Sequence, residues 1–226
     1  DPPLTMARYS PSRFNKTGET DNREVALVGL IRSGLLKRFE SSSHAFATTL
    51  ERMVDAHDAF LEGLDEGVIL TSERIAELAE TDSDEEWDEI LARGDSIDAE
   101  LTDVKSLRKA VRRDRDLLDR MRVKAASVTR DRDPKLRLIV EELVAILRHS
   151  EESAVSDQDR RNRRKVIIFS FFSDTVHWIH DYLQDALATD GRLAAYRGRM
   201  VVVTGDDDGR KTAVYGFVPE SSEAPP

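Results

Sequence analysis

The sequence predicts a mostly α-helical chain whose C-terminal part is a partial α/β unit, and three observations lead there. Apolar residues recur at spacings of three and four from Val25 to Leu147, as they do in helices with one buried face. Lys165-Val-Ile-Ile-Phe-Ser-Phe-Phe-Ser-Asp-Thr175 then sets a basic lead-in before an apolar run, and the amphipathic stretch to Leu183 follows directly, so the segment reads as strand, turn and helix. Met200-Val-Val-Val-Thr-Gly205 adds a second apolar run with a glycine at its end. Strand, helix, strand in that order opens a parallel α/β sheet, and the pattern stops there.

Residues 1–20 hold Pro2, Pro3, Pro11 and Gly18 among polar neighbours and read as an extended lead-in, with Leu4, Met6, Tyr9 and Phe14 as its possible anchors. From Asn22 to about Glu40 the spacing of Val25, Leu27, Val28, Leu30, Ile31, Leu35, Leu36 and Phe39 predicts a helix, weakened by Gly29 and Gly34. Ser41-Ser-Ser43 punctuates the chain. Ser43 is placed to cap a second helix that carries Phe46, Leu50, Met53, Val54, His57, Phe60, Leu61 and Leu64 on one broad face, and so short a connection predicts a hairpin.

Residues 71–93 read as one or two shorter helices around Glu80-Thr-Asp-Ser-Asp-Glu-Glu-Trp-Asp-Glu89, a solvated helix start rather than a cation site. Ile97, Leu101, Val104, Leu107, Val111, Leu118, Met121, Ala125 and Val128 then form a coiled-coil-like seam, in which Asp114 stands where an apolar residue belongs. That breach points to an intramolecular packing face instead of a dimer zipper. Asp133-Pro-Lys135 ends the run, because proline suits only the first turn of the next helix. This helix carries Leu136, Ile139, Val140, Leu143, Val144 and Leu147 to near His149. The resulting plan is a helical region over 21–149, a linker over 150–164 and α/β material over 165–226, with no internal repeat.

Composition narrows the function. No apolar stretch reaches the ~18 residues of a membrane span, and the opening Asp-Pro-Pro lacks the regions of a secretory signal, so neither membrane nor export is expected. The lack of cysteine excludes disulfides, thiolate metal sites and a cysteine nucleophile, which suits a cytoplasmic protein. A net charge of −10 repels a polyanion on average and leaves only local basic patches to bind one. Arg160-Arg-Asn-Arg-Arg-Lys165 is the clearest of these and reads first as a solvated linker.

Several chemistries lack their signatures. Gly29-Leu-Ile-Arg-Ser-Gly34 has the glycine spacing of a phosphate loop, but Leu35 and Leu36 stand where Lys and Ser or Thr are needed. His177 and His180, one turn apart near Asp174 and Asp181, have no third ligand segment and read as helix surface. Gly205-Asp-Asp-Asp-Gly209 lacks the alternating ligands of a calcium loop, and no Gly-x-Ser-x-Gly elbow exists. No catalytic residue and no metal site is therefore assigned.

Several stretches, together spanning most of the chain, resemble a known family. Asp133-Pro-Lys-Leu136, the helix after it and Lys165 to Thr175 look like the opening of the second RecA-like lobe of Swi/Snf-like superfamily 2 helicases, where Asp-x-Lys precedes the helix and the apolar strand ends in Phe-Ser or Phe-Thr. Thr204-Gly205 is similar to the family's next turn, and Arg210 through Phe217 resembles the helix after it. Gly29 through Ser42, with Ala45-Phe46 and Thr49-Leu50, resembles the helical region that bacterial members place between their lobes.

The resemblance implies a helical inter-lobe region followed by an incomplete parallel RecA-like sheet. The first lobe, with its phosphate loop and magnesium-binding acids, has no counterpart here, and neither do the later second-lobe motifs. The chain is thus expected to be a central piece without catalysis of its own. Its parent would bind ATP and Mg and couple hydrolysis to movement along double-stranded DNA, with the remaining lobes as partners in the same chain. The resemblance also implies a nucleic-acid-facing edge at Ser170, Phe171, Thr204 and Gly205, to which Arg210 and Lys211 add charge, with Phe172 in the core. Hydroxyls and backbone N–H groups at such an edge grip phosphates without reading bases. The rival class is an acidic helical protein-interaction module, self-association through the seam or an exposed sheet edge included.

Overall fold

The computed structural model describes residues 3–65, 101–204 and 217, and the chain divides into two compact units, Asp1–Val128 and Thr129–Pro226.

In the first unit the chain enters through Met6, which takes the left-handed backbone conformation (φ 60, ψ 40). For a residue with a side chain this costs about 1–2 kcal/mol. The bend is offset by complete burial of Met6 and by bonds from Tyr9 N (3.0 Å) and Ser10 Oγ (3.0 Å) to its carbonyl. Two 3-10 turns follow, Ala7–Tyr9 and Pro11–Phe14. The expected extended lead-in is therefore wrong in form, although its anchors are right. Met6 and Tyr9 belong to the main core, and Phe14 packs on a neighbouring cluster.

Helix α1 spans Asn22–Ser41 and is capped by Asp21, whose carboxylate accepts from Arg23 N at 2.8 Å. Glu24 in its first turn accepts from Ser12 N at 3.0 Å and from Ser12 Oγ, while Ser12 Oγ accepts from Asp21 N at 2.9 Å. The second turn is thus tied to the start of α1. Helix α2 spans Ser43–Asp65, and its cap is Ser42, one residue earlier than expected, whose Oγ accepts from Ala45 N at 3.0 Å. Helix α3 spans Val104–Ala126 and is capped by Asp103. It starts later than the seam suggests, because Phe14 O and Leu101 O accept from Asp103 N and Lys16 N at 2.8 Å each around an antiparallel bridge between Asn15 and Thr102. Ile97 lies outside the described residues, as does the acidic stretch from Glu80 to Glu89.

Leu27, Val28, Ile31 and Leu35 of α1 meet Phe46, Leu50, Met53 and Val54 of α2 and Leu118 of α3 in one core. Phe60 and Leu64 meet Leu107 and Val111 in a second. Each such side chain, fully buried, is worth about 1.5–3 kcal/mol. The seam of α3 is satisfied inside the unit, as Asp114 suggested.

In the second unit α4 spans Pro134–Ser153, with Pro134 in its first turn and Asp133 as cap. Helix α5, Asp157–Arg163, is capped by Ser156 and occupies the stretch expected to be a linker. Helix α6 spans Ser173–Thr189, and a 3-10 segment, Gly191–Tyr196, follows it. Val140, Leu143 and Leu147 pack with Leu183, Leu187 and Leu193, and Val166 and Met200 lean on this cluster. The two apolar runs expected to be strands, 165–170 and 200–204, are irregular, and no strand forms among the described residues. Isolated runs have no ladder to satisfy their backbone, so hydrophobicity alone does not make them strands. No described helix is long and apolar enough to cross a membrane.

Candidate nucleic-acid interface

Ser170 and Phe171 form the turn that leads into α6. Ser170 is half-buried and its Oγ accepts from Phe172 N at 3.3 Å. Phe172 is buried, as expected, and Phe171 is 62% exposed with its ring edge-on to Phe172 at 5.0 Å. Thr204 is half-buried at the end of the second apolar run. Gly205, Arg210 and Lys211 lie outside the described residues. Of the expected edge, the structure therefore describes Ser170, Phe171 and Thr204.

The apolar runs behind these residues are largely uncovered. Phe169 is 88% exposed, and Ile167, Ile168, Val201 and Val203 are exposed as well. Large apolar side chains clustered on a surface mark a place where something else packs.

The Asp133-Pro-Lys135 motif does more than start α4. Asp133 is buried, accepts from Lys135 N at 2.9 Å with one oxygen, and accepts from the Trp178 indole N–H at 3.1 Å with the other. The Arg130 guanidinium lies over the Trp178 ring at 4.8 Å and donates to Asp181 at 2.6 Å. The helix that follows the candidate edge is thereby pinned to the start of α4. His180 is the main cause that holds the Asp181 carboxyl below its usual range, with Arg130 assisting. Trp178 carries no sequence signal beyond its helix periodicity, and Asp181 stood out in the sequence only as an acid beside His177 and His180.

The basic run offers less free charge than its sequence suggests. Arg160 pairs with Glu151 (3.1 Å) and Asp157 (2.9 Å), Arg163 with Asp159 (2.8 Å), and Arg164 with Glu151. His177 is exposed and His180 contacts Asp181 at 3.2 Å, and no metal-holding group of acids and histidines occurs among the described residues. Gly29 and Gly34 lie inside α1 with Leu35 buried, so this stretch is a helix and not a loop that could cradle a phosphate.

A separate polar cluster sits in the first unit. Asp114, 1% exposed, accepts from Thr5 N (2.8 Å), Thr5 Oγ1 (2.7 Å) and Ala7 N (2.8 Å). His57 on α2 is fully buried, with Nδ1 2.6 Å from the Met53 carbonyl and its ring 5.7 Å from that of Tyr9. Burial, then the charge of Arg8, lowers the His57 pKa to about 4, against smaller opposing effects of the Met53 carbonyl, Asp114 and Asp58. Burial raises the Tyr9 phenol, and Arg8 partly opposes it. The sequence signal for this cluster was an acid in a seam and a histidine on an apolar face. The arginine gave none.

Comparison with protein-family models, with curated proteins and with solved structures finds no match to this chain.

Proposed function

We propose that the chain is a central part of an ATP-dependent helicase or translocase of the Swi/Snf-like type. Its first unit supplies spacer helices, and its second supplies part of a RecA-like lobe facing double-stranded DNA. ATP and Mg belong to other parts of the parent protein, and this chain hydrolyses nothing alone. The observation that carries the reading is the exposure of Ile167, Ile168, Phe169 and Phe171, in the run that leads directly into α6, and of Val201 and Val203 in the run that follows it. Continuous apolar runs of this kind suit parallel strands, which are buried on both faces once their neighbours are in place. The Asp133 bridge to Trp178 supports it by holding α6 against the start of α4.

In this reading Ser170 and Thr204 contact the phosphate backbone. The test is fluorescence anisotropy of a labelled duplex titrated with the chain across a salt series. Affinity should fall as salt rises, because phosphate contacts release counterions. The double variant Ser170→Ala, Thr204→Val should weaken binding about tenfold, as expected for lost hydrogen bonds to a charged group. No salt-dependent binding, or binding indifferent to the double variant, refutes the assignment of this edge.

A second reading, a protein-interaction module, draws on the exposed Val25, Leu36 and Phe39, which share one face of α1. Sedimentation of the chain and of its Leu36→Glu variant separates them: self-association abolished by the charge favours this face as an interface.

A further inference from the structure

We propose that the solvent face of α3 is a docking surface for the phosphate backbone of double-stranded nucleic acid. The helix buries Leu107, Val111, Asp114 and Leu118 on one side. Lys105, Lys109, Arg112, Arg113, Arg120 and Lys124 stand on the opposite side, all exposed, in one band along the axis. From Lys105 to Lys124 the band runs about 28 Å. Of the three acids of α3, Asp114 is buried, Asp119 pairs with Arg122 at 2.7 Å, and Asp116 alone shares the exposed band.

Acids outnumber Lys and Arg by 44 to 34 in the whole chain, so a band of six cations with one acid runs against its composition. Lys105 and Lys109, Lys109 and Arg113, and Arg120 and Lys124 are like charges four residues apart, a spacing that weakens a helix. Lys105, Lys109, Arg112 and Lys124 form no ion pair with the described residues. On the flank towards α2, Asp58, Glu62 and Asp116 line a cleft with Arg112 and Arg115, and Asp58 is already held by Arg115 at 2.9 Å. Towards the N-terminal segment, Arg113 and Arg32 of α1 donate to consecutive carbonyls, Pro3 (3.3 Å) and Leu4 (2.9 Å). These bonds fix both guanidiniums without neutralising them.

The chemistry of the band selects its partner. Helix α3 has no aromatic residue, so it offers nothing on which the bases of a single strand could stack. The apolar face that a membrane-surface helix would insert is spent on the two cores of this unit. A protein interface wants aromatic or apolar anchors at its centre, and the exposed large apolar side chain of α3 is Val123 alone. A duplex needs none of these. It is a stiff polyanion with one charge per ~1.7 Å of axis, matched by a straight row of cations that touch phosphate and read no bases. Because the net charge of −10 repels a duplex, binding rests on this local band and weakens steeply with salt. The band belongs to the first unit, whereas Ser170 and Thr204 belong to the second, and it calls for a duplex whether or not the chain is part of a translocase.

The test is fluorescence anisotropy of a labelled DNA duplex, longer than α3 and of arbitrary sequence, titrated with the full 226-residue chain across a salt series. The triple variant Lys105→Gln, Lys109→Gln, Lys124→Gln removes three exposed cations at no cost in helix propensity, so it should stay folded. It should lower the slope of log affinity against log salt by about 2–3. A slope unchanged from the parent overturns the proposal, and so does a parent chain that ignores the duplex at low salt, whether or not phosphatidylserine vesicles bind it instead. Lys37→Gln, Arg137→Gln, Arg148→Gln removes the same charge from exposed positions elsewhere and should leave the slope nearly as it was. An equal fall in this control would trace the effect to net charge and overturn the band. Ser170→Ala, Thr204→Val probes the other edge separately. Binding lost in that variant and kept in the triple variant would put the duplex on the edge and not on α3.

Discussion

Asp114→Ala should destabilise the first unit far more than a typical helix-surface change. The carboxylate accepts three bonds of 2.7–2.8 Å, two of them from the backbone N–H groups of Thr5 and Ala7. Truncation leaves the Ala7 N–H buried and the Thr5 N–H partly so, at about 1–3 kcal/mol each, while the half-buried Thr5 hydroxyl can turn to water. With the small cavity added, the expected loss is about 3–5 kcal/mol. Asp114→Asn keeps the shape and one acceptor oxygen but turns an amide donor towards the donors of Thr5 and Ala7, so about half the loss is expected. Asp114→Leu restores the apolar seam, yet still strands the donors, and should fall between the parent and the alanine variant. Urea unfolding followed by circular dichroism measures the loss. Hydrogen exchange locates it, because the Ala7 and Tyr9 amides should lose protection first. An alanine variant within about 1 kcal/mol of the parent, with Ala7 still protected, would show that Asp114 does not anchor the N-terminal turns.

Three further outcomes are expected. Burial holds the His57 pKa at about 4, below the 6.5 of the unfolded chain, so between these values the unfolded chain binds the extra proton. Stability should be full above pH 6.5 and decline on acidification, with about 3 kcal/mol lost by pH 4; His57→Gln should flatten that part of the profile, and an unchanged slope rejects the assignment. Gly29 lies mid-helix in α1 with open space where a Cβ would go, so Gly29→Ala should raise stability by about 0.5–1 kcal/mol in the same urea assay. Trp178→Phe keeps the ring under Arg130 but loses the bond to Asp133, and should lower the stability of the second unit by about 1–2 kcal/mol, read from exchange at the start of α4.

The helices were legible because their cause is local. The spacing of Leu107, Val111 and Leu118 marks a buried face whatever lies opposite, and Asp133-Pro134 marks a helix start by its own stereochemistry. Helix α5 was missed because its sequence, Asp-Gln-Asp-Arg-Arg-Asn-Arg, has no apolar face. Its support is electrostatic, from the Ser156 cap and the pairs of Arg160 and Arg163 with nearby acids. The expected strands of the second unit depend on neighbours for their ladder, and the described residues provide none. Of the candidate edge, Ser170, Phe171 and Thr204 lie among the described residues, and that Phe171 is exposed while Ser170 and Thr204 are half-buried is the part that sequence could not state.

Alone, the sequence determined that this chain is mostly helical, where most of its described helices begin, and that α3 would pack within the molecule. Each follows from periodicity, caps or proline, which act within a few residues. Only the tertiary structure decided what lies opposite each face. It put the N-terminal residues into the core, joined Asp114 to Thr5 and Ala7 across more than a hundred residues, and enclosed Arg8 with Tyr9 and His57. Burial and partnership are properties of the whole packing, and one stretch of sequence cannot specify the side chains that another will bring to meet it.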